Sequence, residues 1–168
     1  LVGGIIVNGR LLSGVHAQAG EVSFMKLTDQ KYDDKIAGLQ YSAVQMIKAI
    51  NKNTNNDSED GLRAFELINK NDSDTVKIFN QFCYGIATVI LNIQTVVDLE
   101  RYAIGGGISA QPILIEGINK AYQQLIDNNP IISKMLTKPE IVSAKFKNNA
   151  NLFGALYNLL LTENHETL

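Results

Sequence analysis

The first apolar residues fall in a pattern that fits extended chain. Ile5, Ile6 and Val7, then Asn8-Gly9, then Leu11 and Leu12 predict a β-hairpin, because Asn-Gly supplies the positive φ angles of a tight two-residue turn. A further strand is predicted over Val22 to Leu27. Between them the small residues Gly14, Ala17, Ala19 and Gly20 predict a loop that ends at Glu21 and lets backbone approach a ligand; a plain surface loop is the alternative. From Ile36 to Ile50 the spacing turns helical (Leu39, Ala43, Met46, Ile47, Ile50) and stops at the polar run Asn51 to Asp57. Asp57 or Ser58 is expected to cap a short helix running through Leu67. Ser73 is expected to cap a longer one with Phe79, Phe82, Ile86, Ile90, Ile93 and Val97 on one face. Gly85 inside that helix costs about 1 kcal/mol relative to alanine, which predicts a close crossing by another element.

The second half reads as strand, glycine loop, helix. Arg101 to Ile104 predict a short strand that runs into Gly105-Gly106-Gly107-Ile108-Ser109, and Leu114, Ile115, Ile118, Tyr122 and Leu125 mark an amphipathic helix behind it. Pro112 suits the helix start, where its missing N–H does no harm, and Glu116 in the early turns suits the positive end of the dipole. Glu140 to Lys145 predict a last strand and Asn151 to Leu161 a last helix. With 168 residues and no internal repeat, one α/β domain is expected.

Composition narrows the function. Hydrophobic residues make up 45% of the chain and charged residues 19%, with a net charge of −2, so a disordered or fibrous chain is excluded. Fifteen Lys plus Arg against 17 Asp plus Glu, with no dense basic run, leave no basic face, so this segment is not expected to contact nucleic acid. No apolar stretch reads as a membrane span and no secretory leader is evident, so no membrane contact is expected. Cys83 is the single cysteine, which excludes an intrachain disulfide and fits a reducing, cytoplasmic setting. The chain starts at Leu1-Val2-Gly3-Gly4, inside strand-like sequence and without methionine, and is expected to be part of a longer one.

Three groups of residues are candidates for chemistry. The glycines 105–107 before a helix present free N–H groups and a positive dipole end, which suits part of a nucleotide; a tight turn is the equal alternative. The run matches neither G-x-x-x-x-G-K-[ST] nor a full G-x-G-x-x-G. Glu21 follows Ala19-Gly20, where small neighbours leave room for a polar ligand; a solvated loop glutamate is the alternative. His16 and His165 have no second ligand at metal spacing, so no metal site and no zinc are expected. Cys83 falls on the apolar face of the long helix and reads as a core residue.

In order and spacing these pieces resemble the ROK family of bacterial sugar kinases and sugar-sensing repressors. That family carries a hairpin reading roughly G-G-x-I-x-N-G-x-L-x-x-G, then A-G-E-[IV]-G-H, then much later a strand entering G-G-G-[IV]-S. Gly3 to Gly14, Ala19-Gly20-Glu21-Val22 and Ile104 to Ser109 match those elements, and Asn151 to Ala155 looks like the small-residue helix that closes the family fold. The resemblance implies a ribonuclease-H-like, actin-like ATPase fold with ATP and sugar between two lobes, of which this chain is the C-terminal one. It implies that Glu21, beside Gly20, binds sugar hydroxyls. It also implies that Gly105, Gly106, Gly107 and Ser109 line the adenosine side of the nucleotide site, that the full-length protein uses ATP with magnesium, and that it forms a homodimer. The family's phosphate-binding D-x-G-G-T and its D-N-D segment with the catalytic base are not among these residues, so this chain carries no catalytic residue of its own.

The sequence departs from the family pattern at three places. Ser23-Phe24 stand where glycine and histidine are usual, the C-x-C-G-x-x-G-C zinc segment is absent, and Gln40 falls near a further sugar-contacting glutamate. The resemblance implies an ATP-dependent sugar kinase whose C-terminal part supplies sugar and adenosine contacts. The alternatives are the effector-binding part of a ROK transcriptional repressor and a sugar-binding lobe without turnover.

Overall fold

The structure is a computed structural model that describes residues 1–27, 35–54 and 59–164. Asn8 and Gly9 take φ values of 52° and 74°, and the strands they join, β1 (Ile6–Val7) and β2 (Arg10–Leu11), pair antiparallel as the Asn-Gly signal predicts. Beyond the hairpin the expected strand over Val22 to Leu27 does not form. Val22–Phe24 make a single 3-10 turn, and among the described residues no strand pairs with them. The backbone closes on itself instead, Val22 N–H donating to the Gly20 carbonyl at 2.8 Å and Met25 N–H to the Val22 carbonyl at 3.2 Å.

The predicted helix over Ile36 to Ile50 is two helices, α1 (Ala37–Gln40) and α2 (Ala43–Asn53). Ser42, extended at ψ 131°, breaks it, and the break lets the Tyr41 ring lie against the long helix. The proposed caps Asp57 and Ser58 lie outside the described residues. Asp60 caps α3 (Gly61–Asn69), its carboxylate accepting from Leu62 N–H at 2.9 Å and Arg63 N–H at 3.3 Å. The buried Asn51 amide donates to the Asp60 carbonyl at 3.0 Å, tying the end of α2 to the start of α3.

The central element is α4 (Ser73–Val97), capped one residue earlier than expected: Asp72, not Ser73, accepts from Thr75 N–H. Hydrogen bonding to Thr75 holds the Asp72 carboxyl below its usual range. At 25 residues α4 is long and apolar enough to cross a membrane by length and composition, which corrects the expectation that no stretch is. Its buried face is covered by protein, since Phe79, Phe82, Cys83, Ile86 and Ile90 join Met46, Ile50, Phe65, Ile68, Leu114, Ile118 and Tyr122 in one core. The predicted close crossing is present at Gly85. A Cβ there would stand 2.1 Å from two ring carbons of Tyr41.

Cys83 sits in that core against Gly117 of the next helix, where a Cβ would approach its Sγ to 2.8 Å. Burial pushes the thiol up to about 12. With so little thiolate at neutral pH, Cys83 is expected to resist maleimide in the native protein and to label fully in denaturant. Rapid stoichiometric labelling under native conditions would contradict its place in the core.

After α4 comes β3 (Arg101–Ile104), which pairs in parallel with β4 (Glu140–Ser143), two residues shorter than expected, in the register Arg101 to Glu140 through Ile104 to Ser143. Between them lie α5 (Pro112–Asp127) and α6 (Pro130–Met135), the second of which the apolar spacing did not reveal. Pro112 is at the start of α5 as expected, whereas Glu116 lies past the first turn and does not face the free N–H groups. Asn119 on α5 donates to the Ile141 carbonyl at 3.0 Å and locks the helix to β4. The last helix, α7 (Ala150–Glu163), follows a 3-10 turn at Lys147–Asn149 and meets the rest of the chain through the ring pair Phe146 and Phe153, 4.3 Å between centroids. Leu152, Leu156, Tyr157, Leu159 and Leu160 are exposed along it.

Candidate functional site

Glu21 stands where the hairpin loop meets the 3-10 turn. Gly20, at φ 90°, turns the backbone into it, and Gly3 N–H donates to the Gly20 carbonyl at 2.9 Å. A Cβ at Gly20 would fall 2.0 Å from the Gly3 carbonyl oxygen, so glycine there is required by backbone packing. On the side that a Cβ would occupy, the space beside Gly20 is taken by Gly3. The Glu21 carboxylate is half-buried and accepts a hydrogen bond from the Ser23 hydroxyl. Val22 is half-buried within the turn, and Phe24 is 66% exposed.

Behind this turn lies α1. Gly38 packs so closely on Ser23 that a Cβ would come within 2.7 Å of the serine Cβ, and Ala37 N–H donates to the Met25 carbonyl at 2.7 Å. These contacts had no signal in the sequence beyond the glycine itself. Gln40 belongs to the same helix. His16 lies in the exposed loop that follows the hairpin, and His165 lies outside the described residues.

The second group sits at the end of β3. Gly106 takes φ 91°, and the backbone enters a 3-10 turn over Gly107–Ala110 that leads through Gln111 into α5. Where a Cβ would stand on Gly106 or Gly107 there is nothing within 4 Å, so this wall is open. Gly105 faces Ala144 at 3.8 Å. Ser109 is 2% exposed; its hydroxyl donates to the Gly106 carbonyl at 2.8 Å, and its own carbonyl accepts from the Ser143 hydroxyl at 3.0 Å. Ser109 therefore holds the shape of the glycine turn and anchors it to β4. Below the turn, buried Gln94 accepts from Tyr102 O–H at 3.0 Å and Leu99 N–H at 3.1 Å, which fixes the entry to β3. Burial pushes the Tyr102 phenol up to about 12, so it stays a neutral donor.

Among the described residues no hydrogen bond joins the Glu21 turn to the glycine turn. Residues 105–111 contain no acidic side chain, and among the described residues no three His, Cys, Asp or Glu side chains gather as a metal site.

Hairpin, helical core and parallel pair superpose on solved sugar-kinase structures, and the fold is of the ribonuclease-H-like, actin-like ATPase class. The ROK family model matches residues 2–162, and the chain belongs to the ROK family. A ROK-family protein from Streptococcus pneumoniae, solved in complex with sucrose, is 25% identical with a TM-score of 0.85 over 96% of this chain and 55% of its own. A ROK-family glucokinase from Streptomyces griseus, solved with glucose and AMPPNP, is 17% identical with a TM-score of 0.69 over 92% of this chain and 55% of its own. A β-glucoside kinase from Listeria innocua is 27% identical over 98% of this chain and 55% of its length. The chain spans about half the length of the curated relatives it matches.

Proposed function

We propose that this chain is the C-terminal lobe of an ATP-dependent sugar kinase, contributing one wall for a sugar and one for the adenosine of ATP. The observation that carries the reading is the glycine turn, whose 106–107 face is open at the mouth of β3 in a chain of this family. An open face of this kind leaves room for a nucleotide to pack against backbone. Gly105 to Gly107 form the adenosine wall, and Ser109 acts through the shape of the turn. Glu21 accepts hydrogen bonds from sugar hydroxyls, with Gly20 setting its backbone.

The relatives' names support a hexose or related sugar as substrate, since they include a β-glucoside kinase, N-acetylmannosamine kinases and a glucokinase solved with glucose. Magnesium would ride with the phosphates of ATP, and residues 105–111 offer it no carboxylate. No zinc takes part in the reading. The protein works in the cytoplasm, where ATP is supplied, and pairs as a homodimer; the exposed apolar residues of α7 are compatible with a covering partner surface.

Positioning supplies most of phosphoryl-transfer catalysis, and the groups that would activate the hydroxyl and hold the phosphates are not in this sequence. In a coupled ADP-release assay with a panel of hexoses and hexosides, the protein encoded by the whole gene is expected to turn over with sugar. These 168 residues alone are expected to stay at background. Sugar-dependent turnover by the 168 residues would mean that the catalytic parts lie within them.

A further inference from the structure

We propose that Ser23 is a positioning residue that holds the Glu21 carboxylate ready for its ligand, an inference that rests on the reading of Glu21 as a sugar contact. The geometry forms an unbroken chain of contacts from the core to the carboxylate. Gly85 of α4 receives the Tyr41 ring, Tyr41 closes α1, and Gly38 of α1 packs against the Cα and Cβ of Ser23. The Ser23 hydroxyl then donates to Glu21 Oε1. Met25, two residues on, is tied back to α1 by the Ala37 N–H. Ser23 is thus fixed from behind, and it fixes one oxygen of a carboxylate that has about four lone-pair sites. Oε2 and the rest of Oε1 stay available to hydroxyl donors.

A glutamate on a loop turns about three side-chain bonds, and freezing it falls on the binding step unless the protein has frozen it beforehand. A hydroxyl that donates to the carboxylate does this while leaving its other lone pairs free to accept. A serine here is therefore more than a small residue that fits beside Gly38. The close packing needs only the Cβ, whereas the orienting role needs the oxygen.

That difference gives the test. Sugar affinity is measured by calorimetric titration of the protein encoded by the whole gene, with glucose, cellobiose and sucrose as probes, and thermal melting is recorded alongside. Ser23→Ala keeps the Cβ against Gly38 and removes the oxygen; it is expected to weaken binding of the preferred probe about 3- to 10-fold while the melting temperature stays put. Ser23→Gly should weaken binding to the same extent. In a Glu21→Gln background the effect of Ser23→Ala should shrink below about twofold, because the charged acceptor it orients is gone. Wild-type affinity in Ser23→Ala would overturn the proposal, and so would an equal loss in both backgrounds, which would mean a general change in the turn. Absence of binding by the wild-type protein to every probe would overturn the underlying reading of Glu21 before any variant is compared.

Discussion

Glu21→Gln is expected to weaken sugar binding by about 1 to 3 kcal/mol, roughly 5- to 150-fold, with little change in folding stability. The ionised carboxylate offers charge-assisted acceptance to two neighbouring hydroxyls, which a neutral amide of the same shape cannot match. Stability should change little because the side chain is half-buried at the edge of a 3-10 turn and, among the described residues, its hydrogen-bond partner is Ser23. The backbone bonds that set the turn, Glu21 N–H to the Gln18 carbonyl and Gly3 N–H to the Gly20 carbonyl, do not involve the side chain. Calorimetric titration checks the affinity and a thermal melt the stability. Unaltered affinity would remove Glu21 from the site.

Gly85→Ala is expected to lose stability and sugar affinity together. An alanine Cβ would stand 2.1 Å from Cδ1 and Cε1 and 2.5 Å from Cγ of Tyr41. Because Cγ itself is in the way, a swing of the ring tip gives no relief, and α1 must lift from α4. Overpacking of this kind costs about 1 to 3 kcal/mol, against roughly 1 kcal/mol that alanine gains as a helix former, which leaves a net loss of up to about 2 kcal/mol. The affinity loss follows from the connection through Gly38 to Ser23, since a displaced α1 takes the support from behind Glu21. Denaturant unfolding and sugar titration of the same variant check both effects. A stabilised variant with full affinity would show that Tyr41 yields easily and that α1 does not support the site.

The parts of the fold that were legible in the sequence are those set by local chemistry. Asn8-Gly9 specified its turn, Pro112 opened its helix, and the apolar spacing along 73–97 located the central helix and its buried face. Gly85 was legible as a crossing although its partner was not, because a missing Cβ signals close approach without naming the neighbour. What failed depended on tertiary context. Val22 to Leu27 carries strand-forming residues, yet strands need a partner edge and none among the described residues pairs with it. The break at Ser42 has no glycine or proline to announce it, and it goes with the packing of Tyr41 on Gly85.

The candidate site divided in the same way. Positions 20–21 and 105–109 stood out through glycine and carboxylate placement and through the family's motifs. How the residues act did not. Gly20 is filled against Gly3, Ser109 is turned inward to Gly106, and Ser23, which replaces a small residue of the family pattern, holds the carboxylate. Each of these depends on contacts across the fold, and sequence spacing carries no record of them.

The central claim is that sugar and nucleotide meet different walls of this chain, one at the Glu21 turn and one at the glycine turn. Amide hydrogen exchange read peptide by peptide, on the protein encoded by the whole gene with and without glucose and AMPPNP, tests it most directly. Sugar is expected to slow exchange over residues 18–25 and the nucleotide analogue over residues 104–111, each with little effect on the other segment when added alone. Protection by either ligand that spares both segments would contradict the account.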